Sequence, residues 1–205
     1  MSFWCWRTKN KSIMEKRKHI LSMLLLIATC LFSTNAFAYD AEIDGIYYNF
    51  NGDEAEVTYE KKDGNNYISN YSGAVVIPES VVYNAQTYSV TSIGSKAFFG
   101  CSSLTFFDIP NGVTTIGSKG FENCSALTFV DIPNSVTTIE DAAFKGCSNL
   151  TNVVIPNNIT VIGNETFSYT ALTSVKIPNG VTTIGRAAFM LCQSLTKVEI
   201  QYSVR

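Results

Sequence analysis

The chain has 205 residues, formally room for one or two ordinary domains, with a net charge of −2 and a single histidine. No basic patch stands out, which argues against nucleic acid as a partner.

The first 38 residues read differently from the rest. Lys9, Lys11, Lys16, Arg17 and Lys18 precede an apolar run from Ile20 to Phe32, and Ala36-Phe37-Ala38 follows. A positive flank, a short apolar stretch and an A-x-A site describe a secretory signal peptide, with cleavage expected after Ala38. The run is shorter than the roughly 20 apolar residues that span a bilayer, and no second one follows, so no transmembrane segment is expected after cleavage. Met14 offers an alternative start with more usual signal proportions, and Cys30 only faintly resembles a lipoprotein site, because Thr29 before it is large. Export implies a secreted or cell-surface location. It also changes the chemistry at hand: from Tyr39 on there are 9 Lys and Arg against 16 Asp and Glu, a formal charge of −7, and His19 is lost with the signal. Without histidine, Ser-His-Asp and Cys-His catalytic systems are excluded, and no enzymatic role is expected.

Tyr39 to Ser72 lacks the periodicity of the residues after it. Gly45 to Phe50 and Glu54 to Glu60 read as two strands around the Asn51-Gly52 turn signal, giving a β-hairpin cap over residues 39–72 that would shield the first open sheet edge. The rival reading is a separate binding module, since the segment is acidic and rich in tyrosine.

From residue 73 to 205 one pattern recurs. Phe98, Phe121, Phe144, Phe167 and Phe189 are 23, 23, 23 and 22 residues apart, and Leu104, Leu127, Leu150, Leu172 and Leu195 keep the same rhythm. So do Ile109, Ile132, Ile155, Ile177 and Ile200, all but the last followed by proline. The units run Leu104 to Ala126, Leu127 to Asn149, Leu150 to Ala171 with one residue missing, and Leu172 to Ser194; a partial unit opens at Leu195 and a divergent one covers Ala74 to Ser103. Leu104, Phe107 and Ile109 follow L-x-x-L-x-L, whose final alternation suits a short strand with one buried face. Pro110 cannot donate to a ladder and ends the strand. Asn111-Gly112 turns the chain, Val113 and Ile116 point the next apolar pair inward, Gly117 allows another bend, and Phe121 fills the opposite side. A unit this short cannot enclose a core alone; stacking on its neighbours buries a continuous apolar column.

The motif Leu-x-x-Val-x-Ile-Pro-Asn-x-Val-Thr-x-Ile-Gly-x-x-Ala-Phe-x-x-Cys, covering about Ala74 to Ile200, resembles the leucine-rich repeat, and closely its BspA-like subclass of surface proteins. The departures are Glu140 for Gly, Thr170 for Cys beside the deletion, and Gln201 for Pro. The resemblance implies a repeat solenoid: a right-handed, β-rich superhelix of short parallel strands, about 23 residues per repeat, behind a small N-terminal β cap. It also implies adhesion or host-protein recognition, with a host or matrix protein or a surface glycan as partner, and it carries no catalytic residue and no cofactor to this chain.

Cys101, Cys124, Cys147 and Cys192 share one repeat position. Equivalent side chains in a parallel stack sit about 4.8 Å apart on parallel vectors, wider than the roughly 3.8 Å between Cβ atoms that a disulfide needs. They are expected as buried reduced thiols, and a straight stack is not the tetrahedron that zinc takes.

The expected binding surface is the concave face. Third-position residues Phe106, Phe129, Asn152, Ser174 and Lys197, and fifth-position residues Asp108, Asp131, Val154, Lys176 and Glu199, point outward. Two aromatics beside two carboxylates, grading into Asn152 and the basic Lys176, form the candidate ligand patch; free drift of exposed strand residues is the plain alternative. Asp108 and Asp131 match the carboxylate spacing of a retaining glycosidase, but a flat strand face supplies no enclosing pocket. Bridging an extracellular cation suits them better. The threonines at 105, 128, 151, 173 and 196 read as a cross-strand hydroxyl ladder. The chain stops a few residues into its sixth unit without a polar cap, which leaves three accounts: a truncated reading frame, self-association through that edge, or a last strand capped by Lys197, Glu199 and Arg205.

Overall fold

The computed structural model describes residues 38–64 and 66–201. The segment read as an export signal, with Met14, His19 and Cys30, lies outside the described residues except for Ala38, as does Arg205.

Among the described residues there are seventeen short strands and no helix, and the repeats pair in parallel. Each repeat contributes a strand from its Leu-x-x-Val-x-Ile run: β9 (Leu104–Asp108), β11 (Phe129–Asp131), β13 (Asn152–Val154), β15 (Ser174–Ile177) and β17 (Lys197–Ile200). The divergent unit supplies β6 (Gly73–Val76), so this face divides into the pairs β6–β9, β11–β13 and β15–β17.

The longer sheet is built elsewhere. The Thr-Ile or Val-Ile pairs after each Pro-Asn turn form β10 (Thr115–Ile116), β12 (Thr138–Ile139), β14 (Val161–Ile162) and β16 (Thr183–Ile184), continuing β8 (Gln86–Ile93). Two residues cannot hold a strand in water, but each pairs with the equivalents above and below, and the chain of pairs gives a nine-stranded sheet. Here the structure adds to the sequence reading, which assigned Ile116 an inward side chain but no strand.

A third ladder closes the coil without strand geometry. The backbone N–H groups of Lys96, Phe98 and Gly100 donate to the carbonyls of Ser118, Gly120 and Glu122, at 3.0, 2.7 and 2.8 Å. Phe121 then donates to Ala143, Phe144 to Thr166 and Phe167 to Ala188 at 2.8 to 2.9 Å. Such bonding requires left-handed backbone at two points per repeat. One column is Lys96, Lys119, Ala142, Glu165 and Ala187, and the other is Gly100, Asn123, Gly146, Tyr169 and Leu191, all with φ between 54° and 72°.

Gly117 serves a different purpose from the expected bend. A Cβ there would lie 2.6 Å from the backbone N of Ser95 and 2.8 Å from the carbonyl carbon of Gly94, so the missing side chain lets these two coils approach closely. Glu140 stands in the same column, and its Oε2 accepts the N–H of Ser118 at 2.8 Å.

The interior is a set of columns. The rings of Phe98, Phe121, Phe144, Phe167 and Phe189 stack with centroids 4.8, 5.3, 5.6 and 5.6 Å apart and nearly parallel planes. Leu104, Leu127, Leu150 and Leu172, and the valine and isoleucine columns, bury beside them.

The segment over 39–72 holds five strands where two were expected: β1 (Ala41–Ile43), β2 (Ile46–Asn51) and β3 (Glu54–Thr58) form an antiparallel meander, and β4 (Lys61–Asp63) pairs with β5 (Asn66–Ile68). Strand β3 runs parallel to β8, so the meander closes the Thr-Ile sheet, not the face that begins at β6. The remaining strand, β7 (Ser80–Tyr83), makes a hairpin with β8.

Candidate functional site

The alternation within each Leu-x-x-Val-x-Ile strand decides which side chains reach solvent. In β9 the burial runs inward at Leu104, outward at Thr105 and Phe106, inward at Phe107 and outward at Asp108. Strands β11 and β13 repeat the outward–inward–outward pattern at Phe129, Val130, Asp131 and at Asn152, Val153, Val154.

Register aligns the outward residues into the two columns read from the sequence. Ala74 stands opposite Phe106 and Val76 opposite Asp108. Phe129 pairs with Asn152 and Asp131 with Val154, and further along Ser174 pairs with Lys197 and Lys176 with Glu199. Phe106 and Phe129 are 46% and 41% exposed, and with the exposed Val76 and Val154 they form the apolar part of a face that also carries Thr, Asp, Asn, Ser and Lys.

The six expected site residues then separate into two groups. A groove of about 890 Å³ runs beside the fifth-position column, and Asp108, Asp131, Asn152 and Lys176 line it. Phe106 and Phe129 lie outside that lining, on the neighbouring column. The other wall is the Pro-Asn turns, with Pro110 and Asn111, Pro133 and Asn134, and Pro156 and Asn157, joined by Glu79 of the divergent unit. In the sequence these asparagines read only as turn formers. Their recurrence after Ile-Pro in four repeats is visible in the sequence, but not that the turns line one groove together with the fifth-position strand residues.

Electrostatically the groove is graded. Glu79, Asp108 and Asp131 occupy one end and Lys176 the other. Beyond Lys176, Lys197 and Glu199 form an ion pair on β17. The hydrogen bond and charge of Lys197 hold the Glu199 carboxyl below its usual range, with Lys176 adding to the effect.

The threonines flanking the columns bond backbone instead of one another: the Thr151 hydroxyl donates to the Thr128 carbonyl and that of Thr196 to the Thr173 carbonyl, both at 3.2 Å. Cys101, Cys124 and Cys147 are buried free thiols, and Cys192 is a half-buried one. Among the described residues no group of three or more His, Cys, Asp or Glu side chains is placed to hold a metal ion, and no helix is long and apolar enough to cross a membrane.

A family model described as the BspA-type leucine-rich repeat region matches residues 79–204 in six copies. The chain belongs to the BspA-type leucine-rich repeat family. Solved structures agree. A leucine-rich repeat protein from Bacteroides ovatus is 39% identical over 78% of this chain and 41% of its own, with a TM-score of 0.71. One from T. pallidum is 30% identical over 78% of this chain and 70% of its own, with a TM-score of 0.66. A leucine-rich cell surface protein from Faecalibacterium prausnitzii is 26% identical over 83% of this chain and 56% of its own, with a TM-score of 0.51. The chain thus spans about two-fifths of the Bacteroides ovatus protein. No curated protein matches it.

Proposed function

We propose that this protein is a secreted or cell-surface recognition module that captures a host or matrix protein, or a surface glycan, on the exposed face of its Leu-x-x-Val-x-Ile strands. The observation that carries this reading is the pair Phe106 and Phe129, held open to solvent on neighbouring strands whose buried residues recur while the third- and fifth-position outward residues vary along the solenoid. Large rings fixed by a scaffold offer contact area at little cost in conformational entropy. The surface location is supported by the export pattern of residues 1–38 and by the description of the Faecalibacterium prausnitzii protein as a cell surface protein. Binding is favoured over catalysis because the family is a repeat scaffold and the single histidine precedes the expected cleavage site.

The test is capture of purified extracellular-matrix proteins and mucin glycans by the immobilised protein, repeated with Phe106→Ser and Phe129→Ser. Loss of capture with unchanged thermal unfolding supports the reading; capture that survives both substitutions removes the aromatic pair from it.

A second reading rests on β17. Val198 and Ile200 are 52% and 49% exposed, whereas their equivalents Val175 and Ile177 are buried. Pairing of this edge with another repeat surface, in a second copy or a larger repeat protein, would cover them. Concentration-dependent association that disappears in Val198→Lys would support it.

A further inference from the structure

We propose that the groove between the fifth-position column and the Pro-Asn turns reads an extended peptide whose cationic and anionic side chains stand four residues apart. This rests on the binding role proposed above and assigns the class of ligand.

The spacing follows from the repeat. Asp108, Asp131 and Lys176 occupy the same position on β9, β11 and β15, and all three line the groove. Successive strands stand about 4.8 Å apart, so the two carboxylates are about 5 Å from each other and Lys176 is roughly 12 Å from the point between them. One ammonium or guanidinium fits between two carboxylates at that separation. An extended chain rises about 3.3 Å per residue and returns a side chain to the same face only at even intervals. Two residues reach about 7 Å and six about 20 Å, while four reach about 13 Å and match the site.

The chemistry of the walls fits a peptide. Backbone N–H and C=O groups of an extended chain require partners once they leave water. Asn134, Asn152 and Asn157 line the groove between its charged ends, and each amide offers both donors and an acceptor. Glu79 adds a third carboxylate at the acidic end, and Gln201 at the other is uncharged. Glu199, in register beside Lys176, is engaged by Lys197.

The experiment is fluorescence anisotropy on the purified protein with three labelled serine peptides, each carrying one arginine and one glutamate separated by two, four or six positions. The peptide with four-residue spacing is expected to bind about tenfold more tightly than the other two and to weaken with added salt. Lys176→Glu is expected to transfer the preference to a peptide with two arginines four apart, and Asp108→Asn with Asp131→Asn to abolish the selectivity. Both changes are on exposed side chains and leave the core untouched. Equal affinity for all three spacings, no binding of any of them, or indifference to Lys176→Glu overturns the proposal. So does calcium binding that Asp108→Asn removes in the absence of peptide binding. The two readings fail separately: protein capture lost in Phe106→Ser with no spacing selectivity overturns only the groove assignment, and spacing selectivity with capture that survives Phe106→Ser and Phe129→Ser overturns only the aromatic pair.

Discussion

The thiol of Cys124 donates to the carbonyl of Phe98, 3.1 Å away in the preceding repeat. Cys147 makes the same bond to Phe121 at 3.2 Å, and Cys192 to Phe167 at 3.1 Å. Each cysteine is thus a small apolar filler whose weak donor is satisfied between coils, not half of a cross-link. Thr170, in the shortened repeat, departs from this pattern: its hydroxyl donates to the carbonyl of Phe167 within its own repeat at 2.8 Å and meets the Cys192 sulfur of the next at 3.2 Å.

Accessibility separates these thiols. Native protein treated with iodoacetamide at neutral pH should be modified at Cys192, which is half-buried, and spared at Cys101, Cys124 and Cys147, which are buried. Peptide mass mapping before and after denaturation checks this, and early labelling of Cys147 would contradict it.

The same burial makes the fold sensitive to alkali. Burial pushes the Cys101 thiol up to about 11 and the Cys147 thiol up to about 12, and raises Cys124 as well. An unfolded thiol titrates near 8.5, so above that pH the unfolded chain loses protons that the folded chain keeps. Stability is then full below about pH 8.5 and declines as pH rises through 11, by about 1.4 kcal/mol per thiol per pH unit. Urea midpoints at pH 7, 9 and 10.5 should fall in that order, less steeply in Cys147→Ala.

The glycines divide by reason. Gly117→Ala forces a methyl group against backbone at 2.6 to 3.0 Å and should cost about 2 kcal/mol or more. Gly100→Ala meets nothing within 4 Å but sits at φ +71°, and should cost about 1 kcal/mol. Leu191, exposed and at φ 56° in the same column as Gly100, should tolerate Leu191→Gly with a gain of roughly 0.5 kcal/mol. Denaturant melts of the three variants test the order.

Tyr48 is fully buried, and its hydroxyl has no hydrogen-bond partner among the described residues. Burial accordingly raises its pKa. Tyr48→Phe removes an unsatisfied group without changing shape and should stabilise the N-terminal meander by about 1 kcal/mol. A lowered melting temperature would show that the hydroxyl has a partner in solution.

The aromatic column carries the solenoid across repeats. Phe144→Ala empties a site stacked on both sides and should cost about 3–5 kcal/mol. Phe189→Ala, at a half-buried position with a stacking partner at Phe167, should cost less. Equal losses in thermal melts would count against a core that propagates through nearest neighbours.

Much of this molecule was determined by its sequence alone. A 23-residue period in Phe, Leu, Ile and Cys admits few structures, because equivalent residues must stack if so short a unit is to bury them. The parallel strands, the inward columns, the free thiols and the outward positions of Phe106, Asp108, Phe129, Asp131, Asn152 and Lys176 follow from that period. Tertiary structure alone decided three things. Thr-Ile pairs such as β10 are too short to signal a strand and become one only by pairing with neighbouring coils. The meander at β1 to β3 joins that sheet because β3 aligns with β8, a partnership between segments about thirty residues apart that no local pattern reports. The groove beside Asp108 and Lys176 is lined jointly by strand residues and by the Pro-Asn turns of successive repeats, and a wall shared between repeats is a property of the stacked coils, not of any single repeat.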